Sequence, residues 1–408
     1  TQIDNLLADR AAGLAPLMQN FFSSLEDLAA SPSDPAARQG VLGQANTLSS
    51  QFRSFDGYLQ DMQGNINSQI KDEVTQINNT TEQIAGLNKE IALARARTGE
   101  APNSLLNQRD HMVSELNERM DLRLNVQDGK TYNISLPNGQ PLVTGTNSFQ
   151  LEAMQADYDP QRTVVGYRDG GGNLVQLDES SITGGALGGL MTFRSETLDK
   201  TQNQIGQLAV SLSVAFNEQH KKGVDLDGEQ GKDFFAVRTP QAYGHKGNSD
   251  PDLLTSATFD PETVEKLRAT DYTVAFEGGI PTVTRNDNGE KLEGADSADA
   301  DFVDLSDWDA DSGAGNITFG GVTLSFDSVA DGDQFEIQPV RRAGAGMETK
   351  ISDLDEIAAG DAGFINVGND TGNSFEREGD LNVSGLGITS DAFAENRKYQ
   401  FEVESDGT

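Results

Sequence analysis

The sequence predicts an α+β, multidomain protein in which a long helical bundle with a small antiparallel sheet precedes a β-rich, acidic outer domain. Three observations lead there. The chain has 408 residues, more than one hydrophobic core usually organises. Its apolar residues recur at helical spacing over most of the first 220 positions and at strand-like spacing afterwards. Its charge is uneven: residues 1–250 carry 31 acidic and 20 basic groups, and residues 251–408 carry 34 and 10. The change of period and the change of charge both put a boundary near residues 225–250.

The opening segment places Leu14, Leu17, Met18, Phe21, Phe22, Leu25 and Leu28 at steps of three and four, a helix pair punctuated by Gly13 and Pro16. Asp34-Pro35 then supplies an N-cap followed by proline at the first helical position. Val41, Ala45, Leu48, Phe52, Phe55, Leu59, Met62 and Ile66 form a heptad seam that continues through Ile70, Val74, Ile77, Ile84, Leu87 and Ile91. Unbroken to Arg97, that helix is about 95 Å long at 1.5 Å per residue. The seam is read as intramolecular core, packed against a third helix at Ser104–Met120 and a fourth at Leu187–Lys222. Strands fall between these two: Leu124–Gln127, Thr131–Leu136, Phe149–Met154, Thr163–Tyr167 and Leu174–Leu177, with Asp128-Gly129 and Asn138-Gly139 as hairpin turns. The second part alternates at Tyr272–Glu277, Thr282–Arg285, Ile317–Phe319, Val322–Phe326 and Gln334–Gln338, which predicts a β-sandwich or partly open barrel. A weak repeat relates Arg268–Phe276 to Asn396–Val403 and predicts a second β module from residue 390 onward.

Composition excludes several kinds of function. A net charge of −35 repels nucleic acid and anionic membrane, and no apolar run nears the ~18 residues of a membrane span. With no cysteine and three histidines, disulfide scaffolds, thiol catalysis and cysteine–histidine metal sites are out of reach. No zincin, serine-hydrolase or phosphate-loop signature occurs, so no catalytic, cofactor or metal residue is assigned and the chain is read as a non-enzyme. Gly184-Gly185-Ala-Leu-Gly188-Gly189 is read as a close-packed strand-to-helix joint rather than an anion nest. Two Asp-rich runs, Asp225–Asp233 and Asp307–Asp311, resemble calcium loops but lack the glutamate at position 12; Ala236 and Thr318 stand there. They are read as a capping turn and a solvated loop. His111 lies beside the third helix's apolar stripe and His245 in a polar connector. His220 ends the fourth helix, where the dipole favours an imidazolium.

Several stretches resemble the flagellar hook-associated protein 1 family, the first junction proteins between bacterial hook and filament. They are Phe21–Ala29 with Pro32 and Ala36-Ala-Arg38, Leu105–Asn117, Gly185–Ser195 with Leu198-Asp199, Ala215–His220, Gly223-Val-Asp225, Asp233-Phe-Phe235, Gly332–Pro339 and Ile357-Ala-Ala359. The match is dense over 1–235 and sparser from 240 to 408. The resemblance implies an extracellular structural subunit that leaves the cell by flagellar type III export and takes part in flagellum assembly and motility. It further implies an internal fragment lacking both terminal coiled-coil segments. On this view 1–235 is a D1-like helical rod domain with a small sheet inserted at about 122–185. Residues 240–345 are a D2-like β-rich outer domain, and 346–408 a further β-rich segment. The partners implied are copies of itself in a ring, hook protein, the next junction protein (hook-associated protein 3) and an export chaperone acting through the absent C-terminal segment. Neither nucleic acid nor membrane is among them, and the fragment alone is expected to be monomeric. Two other readings stay open: another axial protein, such as flagellin or hook-associated protein 3, and a calcium-dependent extracellular adhesin.

Overall fold

A computed structural model describes residues 2–128 and 130–361; the repeat at Asn396–Val403 lies outside the described residues. The helices α1 (Gln2–Ala12), α2 (Leu14–Ala30), α3 (Pro35–Thr98) and α4 (Asn103–Arg119) come first. At the start of α3 the Asp34 carboxylate accepts the Ala36 N–H at 3.0 Å with Pro35 in the first turn, so an otherwise orphaned donor is satisfied. At the other end Gly99 takes the left-handed conformation (φ 83°) that closes the helix on the Arg95 carbonyl. Its 64 residues bury the seam from Val41 to Ile91 as the spacing predicts.

The partners of that seam differ from the sequence reading. The four residues after Thr98 turn α4 straight back, so α4 covers only the part of α3 from about Glu73 onward: Arg119 pairs with Glu73 at 2.9 Å, and Arg109 reaches Asn88 at 3.1 Å. A short connection forces antiparallel neighbours. The stretch around Val41–Leu59 is instead covered by α2 and by residues 342–357. These residues return along the helix from far away in the sequence, a contact no local pattern encodes.

The small sheet elements follow as β1 (Arg123–Gln127), β2 (Thr131–Ser135), β3 (Pro141–Thr144) and β4 (Asn147–Ser148) in one antiparallel sheet, then β5 (Leu151–Gln155), β6 (Thr163–Arg168) and β7 (Leu174–Gln176) in another. The sequence reading omits β3 and β4. The first sheet hangs on a polar residue of the helix seam. Asn88 Nδ2 donates to the Tyr132 and Gly145 carbonyls at 2.8 and 2.7 Å, while Arg109 stacks on the Tyr132 ring 3.6 Å from its centroid.

The predicted helix Leu187–Lys222 is in three parts: α5 (Gly185–Phe193), a π-helical stretch (Arg194–Asp199) and α6 (Lys200–Lys221). The widened turn buries Arg194, Leu198 and Asp199 together and resets the buried face beyond it. Leu208 and Leu212, expected inward, are only half-buried; Ala209, Val210, Ser213 and Val214 are buried instead. Ala209 and Ile205 join the core of the helical body, whereas Val210 and Val214 join the core of the β-unit.

Beyond α6 come β8 (Gly223–Val224), β9 (Phe235–Ala236), β10 (Gln241–Gly244), β11 (Leu254–Phe259), β12 (Tyr272–Glu277), β13 (Ile280–Arg285), β14 (Val303–Asp304), β15 (Trp308–Asp309), β16 (Ala314–Phe319), β17 (Val322–Phe326) and β18 (Gln334–Gln338). One sheet runs β10-β18-β12-β13 and the other β11-β17-β16-β14, with β15 also on β16. The alternating Tyr272, Val274 and Phe276 of β12 face Val322, Leu324 and Phe326 of β17 in one core; the Phe276 and Phe326 rings are 5.1 Å apart at 75°. This is the sandwich that the period-two pattern predicts.

Residues 346–361 depart from the expected further β-rich outer segment. They run back on the helical body, where β19 (Glu348–Thr349) pairs with β9 and β20 (Gly360–Asp361) with β8. Buried Arg38 donates to the Leu354 and Ile357 carbonyls, both at 2.8 Å, and Arg342 grips the Asp56 carboxylate at 2.9–3.2 Å. At the crossing, a Cβ on Gly206 would lie 1.7 Å from the Val340 carbonyl oxygen, so only glycine lets the return segment touch α6. Gly206→Ala is therefore expected to cost about 2–3 kcal/mol. Gly64→Ala, on an open face of α3, should stabilise by about 0.5–1 kcal/mol. Urea unfolding followed by helical circular dichroism checks both.

Candidate functional site: the buried joint between the helical body and the β-unit

Sequence reasoning assigned no site residue, yet the structure gathers a chain of charges where the two units meet. Arg194 Nη2 donates to Glu179 at 2.7 Å. Arg162 holds the same Glu179 through two parallel bonds of 2.9 Å and reaches Asp199 Oδ2 at 2.9 Å. Arg341 Nη1 donates to Asp199 Oδ1 at 3.0 Å, and its Nη2 pairs with Asp271. The signs alternate from Arg194 to Asp271, and each step crosses from one element to another. Arg194 and Asp199 sit on the π-helical stretch, Glu179 on the turn before α5, and Arg162 just before β6. Arg341 follows β18 and Asp271 precedes β12.

Asp199 is the hinge point of this chain, because its two oxygens serve one arginine from each unit. Burial works against its charge, yet the Arg341 and Arg162 guanidinium groups outweigh it and hold the carboxyl below its ordinary range. Burial likewise opposes Arg162, but Asp199 and Glu179 push its pKa well up. Arg194, fully buried, is lowered by desolvation and then by the nearby Arg162. Asp271 and Glu336 go the other way: burial raises both, with the Asp199 charge adding at Asp271 and those of Asp271 and Asp159 adding at Glu336. The Glu336 carboxyl is pushed up to about 8. Beside these groups opens a polar cleft of about 480 Å³, lined also by Tyr158, His245 and Asn203.

A second polar joint ties α6 to the segment that leads into β9. Asn217 Oδ1 accepts the Phe234 and Phe235 N–H groups at 2.9 and 2.8 Å, and its Nδ2 donates to the Phe235 carbonyl at 2.8 Å. The rings of Phe21, Phe216, Phe234 and Phe235 pack there with centroids 4.8–6.5 Å apart. His220 departs from the sequence reading. Its Nδ1 lies 2.6 Å from the Lys232 carbonyl and its Nε2 accepts the Ala358 N–H at 2.8 Å. An acceptor Nε2 requires the neutral ring, and burial lowers the pKa. Tertiary contact has overridden the helix dipole. His111 is exposed on α4, and His245 stacks on Tyr158 at 5.8 Å.

The calcium-like runs fold on themselves. Asp225 Oδ1 accepts the Asp227 and Glu229 N–H groups at 3.0 and 2.8 Å, and Asp309 Oδ1 accepts that of Asp311 at 3.0 Å. Among the described residues no group of three or more His, Asp or Glu is placed to hold a metal ion. The glycine joint before α5 is steric: a Cβ on Gly188 would lie 2.5 Å from Thr183, and one on Gly185 2.3 Å from Arg119.

Arg194, Asp199, Asn217, His220, Phe234 and Phe235 of these joints lie in stretches that carried the family resemblance, whereas Arg162, Glu179, Asp271 and Arg341 do not, and comparison with known proteins decides the matter. The family described as "Flagellar hook-associated protein FlgK helical domain" matches residues 1–235. The chain belongs to the FlgK family. It is similar to flagellar hook-associated protein 1 of Salmonella typhimurium, with 39% identity over 93% of this chain and 66% of that one. The Escherichia coli K12 protein of the same name is 39% identical over 88% of this chain and 62% of its own length. The solved hook junction protein FlgK of Burkholderia pseudomallei superposes with a TM-score of 0.77 at 34% identity, covering 88% of this chain and 62% of that one. The chain thus spans about two thirds of the length of the FlgK relatives it matches. The sequence reading of the family and of the α+β architecture holds.

Two outcomes test the joints. Asp199→Asn strands Arg162 and Arg341 in a buried site and is expected to lower stability by about 3 kcal/mol in urea unfolding. For His220 the folded pKa lies below the unfolded one. Its contribution is therefore complete above about pH 6.5 and is lost as pH falls through the folded value. His220→Gln should cost about 1–2 kcal/mol at pH 7.5 and measurably less at pH 5.

Proposed function

We propose that this chain is the rod and outer unit of a flagellar hook–filament junction subunit, extracellular and structural rather than catalytic. Family membership supports the reading, and one feature of the geometry carries it. A 64-residue helix is gripped on one side by α2, α4 and the return segment, which makes it a stiff strut about 95 Å long. A junction between two unlike polymers needs such struts along its axis, with lateral neighbours beside them.

The neighbours proposed are copies of the same chain in a ring, hook protein on one side and the next junction protein on the other. Lateral contact would use the faces of the rod that its own core leaves open. These include the polar Asn, Gln and Ser flanks of α3 and the edge strand β1, exposed at every residue with Leu124 and Val126 uncovered. The acidic sandwich at 240–345 would stand outward, its charge keeping it solvated. Residues 1–235, with the return segment as a strap, would form the rod.

Antibody raised against this chain and imaged with gold on intact flagella should label a narrow band between hook and filament. Label along the whole filament would overturn the junction reading. In sedimentation the isolated 408-residue chain is expected to be monomeric, and a stable ring would show that lateral contacts along the rod flanks suffice alone.

A further inference from the structure

The β-unit meets the helical body across a set of carboxylates with too few cations between them. Glu336, on β18, is 6% exposed and Asp271, leading into β12, is 4% exposed. Asp271 gives one oxygen to Arg341, while its buried Oδ1 has no hydrogen-bond partner. Asn286 donates to both Glu336 oxygens at 2.8 and 2.9 Å, and Thr273 Oγ1 lies 3.4 Å away. From the helical body Asp159, 5% exposed, accepts the Gln338 amide at 2.9 Å, two residues along β18 from Glu336.

The other charged groups around Glu336 do not make up the deficit. Arg341 is the cation next to it, and Asp271 and Asp199 already engage it. On the body, Arg162 and Arg194 are committed to Glu179, Asp199 and the Thr163 carbonyl. Of the cleft's lining, Asp287 is held by Arg285 from β13, and Lys200 is closed on Glu196. His245 and Tyr158 complete the wall; burial lowers the histidine pKa and raises that of Tyr158 to about 12.

We propose that Glu336 is a protonation-controlled clamp between the two units: neutral, it seats the β-unit against Asp159; ionised, it repels Asp159 and Asp271 and opens the cleft. Burial, then Asp271, raises its carboxyl from 4.5 to about 8, with Arg341 and Asn286 opposing. An opened cleft restores the ordinary value. The closed form therefore holds the proton more tightly: its advantage is complete below about pH 4.5 and is lost as pH rises to about 8. Asp199, with its lowered pKa, has the opposite sign and finishes titrating at acid pH. His245 likewise is neutral above about pH 7, and Tyr158 stays protonated. The window from pH 7 to 9 thus isolates Glu336 and its partner Asp271.

The chain has no cysteine, so spin labels can be placed at Gln204→Cys on α6 and Asn288→Cys beyond β13, both exposed and outside the charge network. Dipolar distance measurements should show a second, longer population on the full chain. Its ratio to the closed population should rise up to about tenfold per pH unit from pH 7 and level off above about pH 8. In Glu336→Gln that ratio should rise far less with pH. In Asp159→Asn, which removes the repelling group on the opposite face, the rise should level off at lower pH. A wild-type distance distribution unchanged from pH 7 to 9 overturns the clamp, and so does an equal rise in the Glu336→Gln chain.

Discussion

A 64-residue helix must be covered, and most of the molecule follows from that requirement. Its mean composition is polar, and its stability comes from burying one seam against other elements rather than from helix propensity. Each stretch of the seam has its own cover: α2 and the return segment near Val41–Leu59, α5 and α6 further on, then α4 with the small sheets over Ile70–Ile91. The cover comes from chain segments up to 319 residues apart, as the Arg38 bond to Ile357 illustrates. The strut is therefore assembled only when both ends of the described chain are in place.

Covering a long helix with many short pieces creates joints, and the joints are polar. Asn88, Arg38, Asn217 and Asp199 each bind backbone or charge across a boundary where the covering segments would otherwise leave carbonyls and amides unpaired. Apolar packing alone would permit several ways of laying a strap along a smooth seam. A buried arginine or asparagine with fixed bond directions accepts one. Arg38, and Arg194 beside Asp199, have almost no contact with solvent, and each sits in a stretch that resembles the FlgK family.

α6 ties the two units together by serving two cores at once. Its Ile205 and Ala209 face the rod, and Val210 and Val214 face the sandwich. The π-helical stretch before it makes that division possible by turning the buried face and delivering Asp199 to arginines of both units. The acidic sandwich is thus fastened to the rod by apolar contact on one side and by an alternating row of buried charges on the other.

What the sequence determined by itself is what depends on neighbours within a turn or a hairpin. The Asp34-Pro35 start, the seam from Val41 to Ile91, the alternation in β12 and β17, and the missing catalytic signatures could all be read locally, since residues three, four or two apart share a face whatever lies opposite. Several motifs were also legible as a family resemblance, though not what they do. Only the tertiary structure decided which segment covers which stretch of the seam, where the fourth helix widens, and that His220 is a neutral acceptor. It also decided that Arg162, Asp199, Arg341 and Asp271 form one chain. Each of these depends on groups tens to hundreds of residues apart. Their pairing is chosen by desolvation and bond direction in the folded interior, where a lone charge or a bare carbonyl costs more than any local preference can offset.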